Sequence, residues 1–336
     1  SLGPEVLARV FGAPSGAGAG LRLSTIDSMD PTQIATLEAG IDYAKTLFIV
    51  ASKSGSTLEP DLLCRYFHAQ AKQKLGDRVG SHFVAITDPG SKLRAYAIAN
   101  GFRRIFDGEP GIGGRYSLYS NFGMVPAVLI GLDAATVIDN ADLMVNACRP
   151  SNPPAHNPGV MLGAALGVAA KAGRDKLTLI AAPALAPFGA WVEQLIAEST
   201  GKHGKGIVPV DAEPLGAATR YGKDRFFVQL RLEKDADAAQ DALVAALGEA
   251  GHPVIVFTLG DKNQLLQEFF RWEIATAVAG ALLGIHPFDQ PDVEAAKVQA
   301  KALLTAYERD RRLPEQAPVL GEGALQFFAE RLMLGQ

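Results

Sequence analysis

Six consecutive positions, Ser52-Lys53-Ser54-Gly55-Ser56-Thr57, bring together four hydroxyls, one ammonium and one glycine. They follow an almost wholly apolar run, Thr46-Leu47-Phe48-Ile49-Val50-Ala51, and precede a stretch from Leu58 to Leu75 that is patterned as a helix. Where a buried strand ends and a helix starts, the first-turn N–H groups lack partners and the helix dipole favours negative charge. Hydroxyls at such a place donate to the oxygens of a phosphate monoester, and Gly55 lets the backbone come close. The glycine spacing of a Walker A loop is absent. A plain Ser/Thr cap, for which one hydroxyl suffices, is the competing reading.

Three further segments carry reactive side chains. In Gly111-Ile112-Gly113-Gly114-Arg115-Tyr116-Ser117, glycines flank one arginine, whose permanent charge can stabilise an anionic oxygen. The spacing is not a dinucleotide fingerprint, and a surface ion pair is the alternative. Glu198-Ser199-Thr200-Gly201-Lys202 closes a helical stretch. A carboxylate at that end stands against the helix dipole, which suits a general base, although a solvated helix-end glutamate is commoner. Ile285-His286-Pro287-Phe288-Asp289-Gln290-Pro291 is a loop punctuated by prolines. If a helix starts at Pro291, Lys297 returns to the face of Gln290 after almost two turns. A capping loop with a surface lysine is the bland version.

The elements that must hold these segments alternate. After the first strand and helix come a strand at His82 to Thr87, a turn at Asp88-Pro89-Gly90, a helix around Lys92 to Asn100 and a short strand, Arg104-Ile105-Phe106. That βαβαβ series marks an open parallel sheet with helices on both faces. The proline-rich Arg149-Pro150-Ser151-Asn152-Pro153-Pro154 interrupts it, and a domain boundary is expected nearby. Apolar strands then recur at 177–182, 206–210, 226–232 and 254–259, with a helix from about Phe188 to Glu198 and a nearly all-apolar one from Gln264 to Leu283. The expected layout is a first α/β domain at 1–145, a second at 146–312, and a C-terminal helical tail at 313–336.

Composition narrows the classes. With 336 residues and a formal charge of −4, the chain has no basic stripe for nucleic acid. No apolar run reaches membrane length, and the first residues show neither a basic nor an apolar signal region. The two cysteines, Cys64 and Cys148, make neither a disulfide framework nor a zinc site. They point to a reducing, cytoplasmic setting.

In their order, the four segments resemble glucose-6-phosphate isomerase. The signatures lie at Gly113-Gly114-Arg115-Tyr116-Ser117 and Phe288-Asp289-Gln290-Pro291; 52–59 resembles the family's phosphate loop, and Ser1-Leu2-Gly3-Pro4-Glu5 the tail of its glycine-serine motif. The stretches Glu198 to Val210 and Glu268 to Glu273 are most similar to the isomerase half of bifunctional transaldolase/glucose-6-phosphate isomerases. The resemblance implies two αβα three-layer sugar-isomerase (SIS, flavodoxin-like) domains with mainly parallel sheets. It implies a hexose 6-phosphate substrate, neither metal nor cofactor, a homodimer as one assembly, and a fused transaldolase domain in the parent protein.

The implied roles are as follows. Ser52, Ser54 and Thr57 bind phosphate, with Lys53 and Ser56 beside them and Gly114 at the substrate. Glu198 moves a proton between C2 and C1, and Arg115 stabilises the cis-enediolate. Gln290 and Lys297 face the sugar, with Lys297 assisting ring opening. No segment matches the family's ring-opening histidine motif; His203 is the candidate, beside an ordinary surface histidine. His286 stands where asparagine is expected. The other readings are a non-catalytic SIS sugar-phosphate sensor and a dual glucose/mannose 6-phosphate isomerase.

Overall fold

A computed structural model describes residues 2–12, 21–314 and 317–328. Ser1, and residues 329–336 of the expected tail, lie outside the described residues. The described chain falls into two compact units, Ser1–Asp289 and Gln290–Gln336.

The first unit is α/β with parallel sheets. Its elements are α1 (Leu2–Phe11), α2 (Pro31–Ala39), β1 (Phe48–Ala51), α3 (Leu58–Leu75), β2 (Phe83–Thr87), α4 (Lys92–Ala99), β3 (Arg104–Asp107), α5 (Asn121–Leu129), α6 (Ala134–Ala147) and α7 (Pro158–Lys171). Then follow β4 (Lys176–Ala181), α8 (Pro187–Thr200), β5 (Val208–Val210), β6 (Arg225–Leu232), α9 (Ala238–Glu249), β7 (Val254–Leu259) and α10 (Leu265–Leu283). One sheet has the order β1-β2-β3 and the other β5-β4-β6-β7, every pairing parallel. Strands in parallel sheets are covered on both faces, so they read as continuous apolar runs. β2 is buried at every position, as that rule requires.

The helices show their local causes. Asp30 caps α2 by accepting from Gln33 N–H, Ser91 caps α4 by accepting from Arg94 N–H, and Asn157 caps α7 with Pro158 at the first helical position. α10 is the central helix, with Leu265, Leu266, Phe269, Trp272 and Ala275 fully buried. It lies close against α7 because α7 carries Gly159, Gly163 and Gly167 at four-residue spacing. A Cβ on Gly163 would come within 2.5 Å of the Ala275 carbonyl oxygen.

The boundary expected near residue 145 falls at the end of α6, after the first parallel sheet and before the second. One hydrophobic core joins Val6, Leu118, Ile130 and Val137 to Leu162, Leu179, Trp191 and Phe269. The proline-rich segment is the connection from α6 to α7, both of which pack on α10. The first sheet has its own smaller core, in which Val50, Phe67, Phe83 and Phe102 meet.

The second unit holds α11 (Pro291–Asp310) and an antiparallel hairpin of β8 (Leu320–Glu322) and β9 (Leu325–Phe327). The hairpin lies within the 313–336 segment expected as a helical tail, where Gly323, at φ +59°, turns the chain back on itself. Among the described residues no helix is long and apolar enough to cross a membrane.

Candidate active site

The hydroxyl loop sits where its sequence places it, between β1 and α3. Gly55 is buried at φ +62°, and a Cβ there would meet the Leu93 backbone nitrogen at 2.4 Å. Glycine alone fits both the conformation and the space. Ser54 and Ser56 are exposed, with their Oγ atoms 2.7 Å apart. Thr57 is the N-cap residue of α3, yet its hydroxyl makes no capping bond. The helix start therefore retains donors that an ordinary cap would have used. Lys53 Nζ pairs with Asp88 Oδ1 at 3.0 Å and donates to the Glu109 carbonyl at 2.8 Å, which ties the loop to the ends of β2 and β3. Thr87 Oγ1 donates to the Ser52 carbonyl at 2.6 Å, fixing the other side.

The second constellation is buried. Gly114–Tyr116 forms one tight turn that turns Arg115 inward, leaving its side chain 5% exposed. Arg115 Nη1 lies 2.7 Å from Glu198 Oε1, a carboxylate 25% exposed near the end of α8. Arg115 Nη2 donates to the carbonyls of Pro287 at 3.1 Å and Asp289 at 3.3 Å. The contact with Glu198 is a charge pair without hydrogen-bond alignment. Arg115 Nε and Nη1 are buried with no hydrogen-bond partner among the described residues. Buried donors left unpaired are costly, so they are poised for an acceptor. Gly3, Pro4, Gly114, Arg115, Phe122 and Gln194 line a small cavity of about 20 Å³ beside this pair. Phe122 also lies under Lys53, 5.5 Å from ammonium to ring, and so connects this cavity to the hydroxyl loop.

Three contributors escaped the sequence reading. Gln194 Nε2 donates to Glu198 Oε2 at 3.4 Å, one helical turn earlier on α8; its position four residues before Glu198 was the available signal. Tyr116 hydroxyl is 3.2 Å from Ser199 Oγ, and burial raises its phenol above the ordinary value. Lys202, 2% exposed at its side chain, pairs with Asp289 Oδ1 at 2.7 Å and also donates to the His286 and Asp289 carbonyls. No local pattern distinguishes it from a surface lysine.

Among the sequence candidates, then, Arg115 and Glu198 come together. His203 is exposed on the tight turn from Lys202 to Lys205, at φ +54°, and forms no hydrogen bond with either of them. Gln290 and Lys297 belong to the second unit, at the N-cap and in the second turn of α11. Cys64 and Cys148 are both buried and free. Among the described residues no group of three or more metal-ligating side chains could hold an ion.

Residues 1–214 match the family model of phosphoglucose isomerase. The chain belongs to the phosphoglucose isomerase family. It is 29% identical over 344 residues to the glucose-6-phosphate isomerase of Parasynechococcus marenigrum (strain WH8102), covering 92% of this chain and 62% of that relative. It thus spans less than two thirds of that relative's length. Among solved structures it is similar to a hypothetical protein of Thermus thermophilus, with a TM-score of 0.80, 24% identity and coverage of 90% and 81%. It is also similar to a glucose-6-phosphate isomerase of Chlamydia trachomatis, with a TM-score of 0.74, 21% identity and coverage of 92% and 68%. These two likenesses are likenesses of fold. The phosphoglucose isomerase family match takes in the hydroxyl loop, the Arg115 turn and Glu198 alike.

Proposed function

We propose that the chain interconverts glucose 6-phosphate and fructose 6-phosphate by moving a proton between C1 and C2 through a cis-enediolate. The observation that carries this reading is the Arg115–Glu198 pair: a carboxylate 2.7 Å from a buried guanidinium that keeps two donors unspent. Glu198 abstracts the proton from one carbon and returns it to the other. The unspent donors of Arg115 stabilise the negative oxygen that develops between the two steps. Ser52, Ser54, Ser56 and Thr57 hold the phosphoryl group at the α3 start, so that remote binding energy fixes the reacting carbons. Gln194 orients Glu198. Lys297 and Gln290 are assigned to the sugar, and His203 to ring opening, on the family resemblance. The named relative supports the substrate pair, since it is called a glucose-6-phosphate isomerase. The likeness of 198–210 and 268–273 to fusion proteins supports a transaldolase domain in the parent polypeptide.

The test is a coupled assay on fructose 6-phosphate, with solvent deuterium incorporation at C2 of the glucose 6-phosphate product as the mechanistic readout. Turnover with partial deuterium incorporation is expected. Binding without turnover in the intact parent protein would instead make it a sugar-phosphate sensor. Equal turnover to mannose 6-phosphate would make it a dual isomerase.

A further inference from the structure

The most fully paired ammonium beside the site is one that the isomerase reading leaves without a task. Lys202 follows Glu198 by four residues, just past the end of α8. Its turn is fixed to the helix: Thr200 Oγ1 donates to the Ile196 carbonyl at 2.8 Å and accepts from Ile207 N–H at 2.9 Å. Lys202 and Lys205 close the turn with reciprocal backbone bonds of 3.1 and 2.9 Å. From that anchored base, Lys202 Nζ reaches the 286–289 loop, where it contacts the His286 carbonyl, the Asp289 carbonyl and the Asp289 carboxylate.

The same loop receives Arg115. Pro287 and Asp289 accept from Arg115 Nη2, and Pro287 also accepts from the Tyr116 hydroxyl at 3.5 Å. The Asp289 carbonyl is therefore shared by two cations from different parts of the chain. On the other side of the loop, Pro287 presses on Gly280 of α10, where a Cβ would come within 3.0 Å of the ring. One edge of the guanidinium thus rests on carbonyls that Lys202 holds in place, while its other edge meets Glu198.

We propose that Lys202 is a positioning residue of the isomerase: it clamps the 286–289 carbonyls so that Arg115 is held with its unspent donors toward Glu198 and the reacting carbons. A lysine suits this task because three donors radiate from one point and can meet three separate acceptors. Its charge is compensated on the spot by Asp289, so it adds little net field where the enediolate forms. The kinetic consequence rests on the isomerase reading, whereas the geometric consequence does not.

The experiment is Lys202→Met in this chain, assayed on fructose 6-phosphate and crystallised beside the wild type. A misplacement of about 1 Å at a catalytic group costs roughly a hundredfold in rate, so kcat should fall by about ten- to a hundredfold. KM should stay within about threefold, because the hydroxyl loop is untouched. In the variant crystal the Arg115–Glu198 separation should open beyond about 4 Å, the reach of an ion pair. A kcat near the wild-type value, or a loss of kcat with the pair unmoved, overturns the clamp. If the wild-type chain shows no turnover, the isomerase reading fails, and the separation in the two crystals still decides the clamp. If Lys202→Met does not fold, Asp289→Ala removes only the exposed carboxylate; kcat should then drop at least severalfold at constant KM, and an unchanged kcat overturns the proposal.

Discussion

The two ends of the candidate site are built in opposite ways. The end proposed to hold the phosphoryl group is one contiguous loop, exposed at Ser54 and Ser56, whose hydroxyls contact each other. The end proposed for proton transfer is assembled from α8, the Arg115 turn and the 286–289 loop, and is buried around a charge pair. The contrast follows from what each end must do. A dianion already carries its charge on arrival and needs only donors near water. An enediolate oxygen gains charge during reaction, so its partner must be fixed beforehand in a dry place.

The sharpest way to break this contrast is Glu198→Gln. It keeps the shape but removes the proposed base, and kcat should fall by about 10²–10⁴-fold. Calorimetry should show sugar-phosphate affinity nearly unchanged. If affinity collapses with turnover, the two ends are not separate. Thr57→Val tests the other end. Losing one hydrogen bond to a charged group costs about 1.5–3 kcal/mol, so KM should rise by roughly ten- to a hundredfold with kcat largely spared. An unchanged KM would remove Thr57 from the phosphoryl site.

The smallest effect concerns the buried side alone. Glu273, on α10, has no hydrogen-bond partner at Oε1 among the described residues, and burial pushes its carboxyl up to about 8. Glu268, paired with Arg271 at 3.0 Å, is pushed up to about 7, again chiefly by burial. In the unfolded chain such carboxyls lose their proton near pH 4.3, about where free glutamate does. Between that value and the folded ones, the folded state holds more protons than the unfolded state, so stability falls as pH rises. The stabilisation is complete below about pH 4.3 and is lost as pH climbs through about 8. Melting at pH 5.5 and pH 8.5 should therefore show the lower midpoint at pH 8.5, and Glu273→Gln should flatten the difference. A midpoint that rises with pH would contradict the burial of these carboxyls.

What the sequence disclosed follows the same division. The seven strands of the parallel sheets were legible because most are short, largely apolar runs, and α3 and α4 because turn residues bracket them. The hydroxyl loop was legible because all its groups are neighbours in the chain. The helices α1, α2, α5 to α7 and α9 carry no such signal in the sequence. α5 contains Pro126, and α7 is a row of Gly and Ala with no strong polar face. The Arg115 and Glu198 segments could be singled out by residue type. Their meeting could not, because it depends on carbonyls at Pro287 and Asp289, whose side chains carry no hint of it. Lys202 lies within the Glu198 segment, and only its burial distinguishes it from Lys205. The proline-rich segment reads as a boundary because prolines mark any sharp connection; here it links α6 to α7.

The glycine row of α7 has a further consequence. With Gly159, Gly163 and Gly167 pressed onto Ile274, Ala275 and Leu282, the two helices have no slack between them and form one slab. Past the far end of that slab, three residues lead the chain to Pro287. A single methyl wedged in at Gly163 would therefore act as a lever, tilting α10 and carrying the carbonyl shelf away from a guanidinium it never touches.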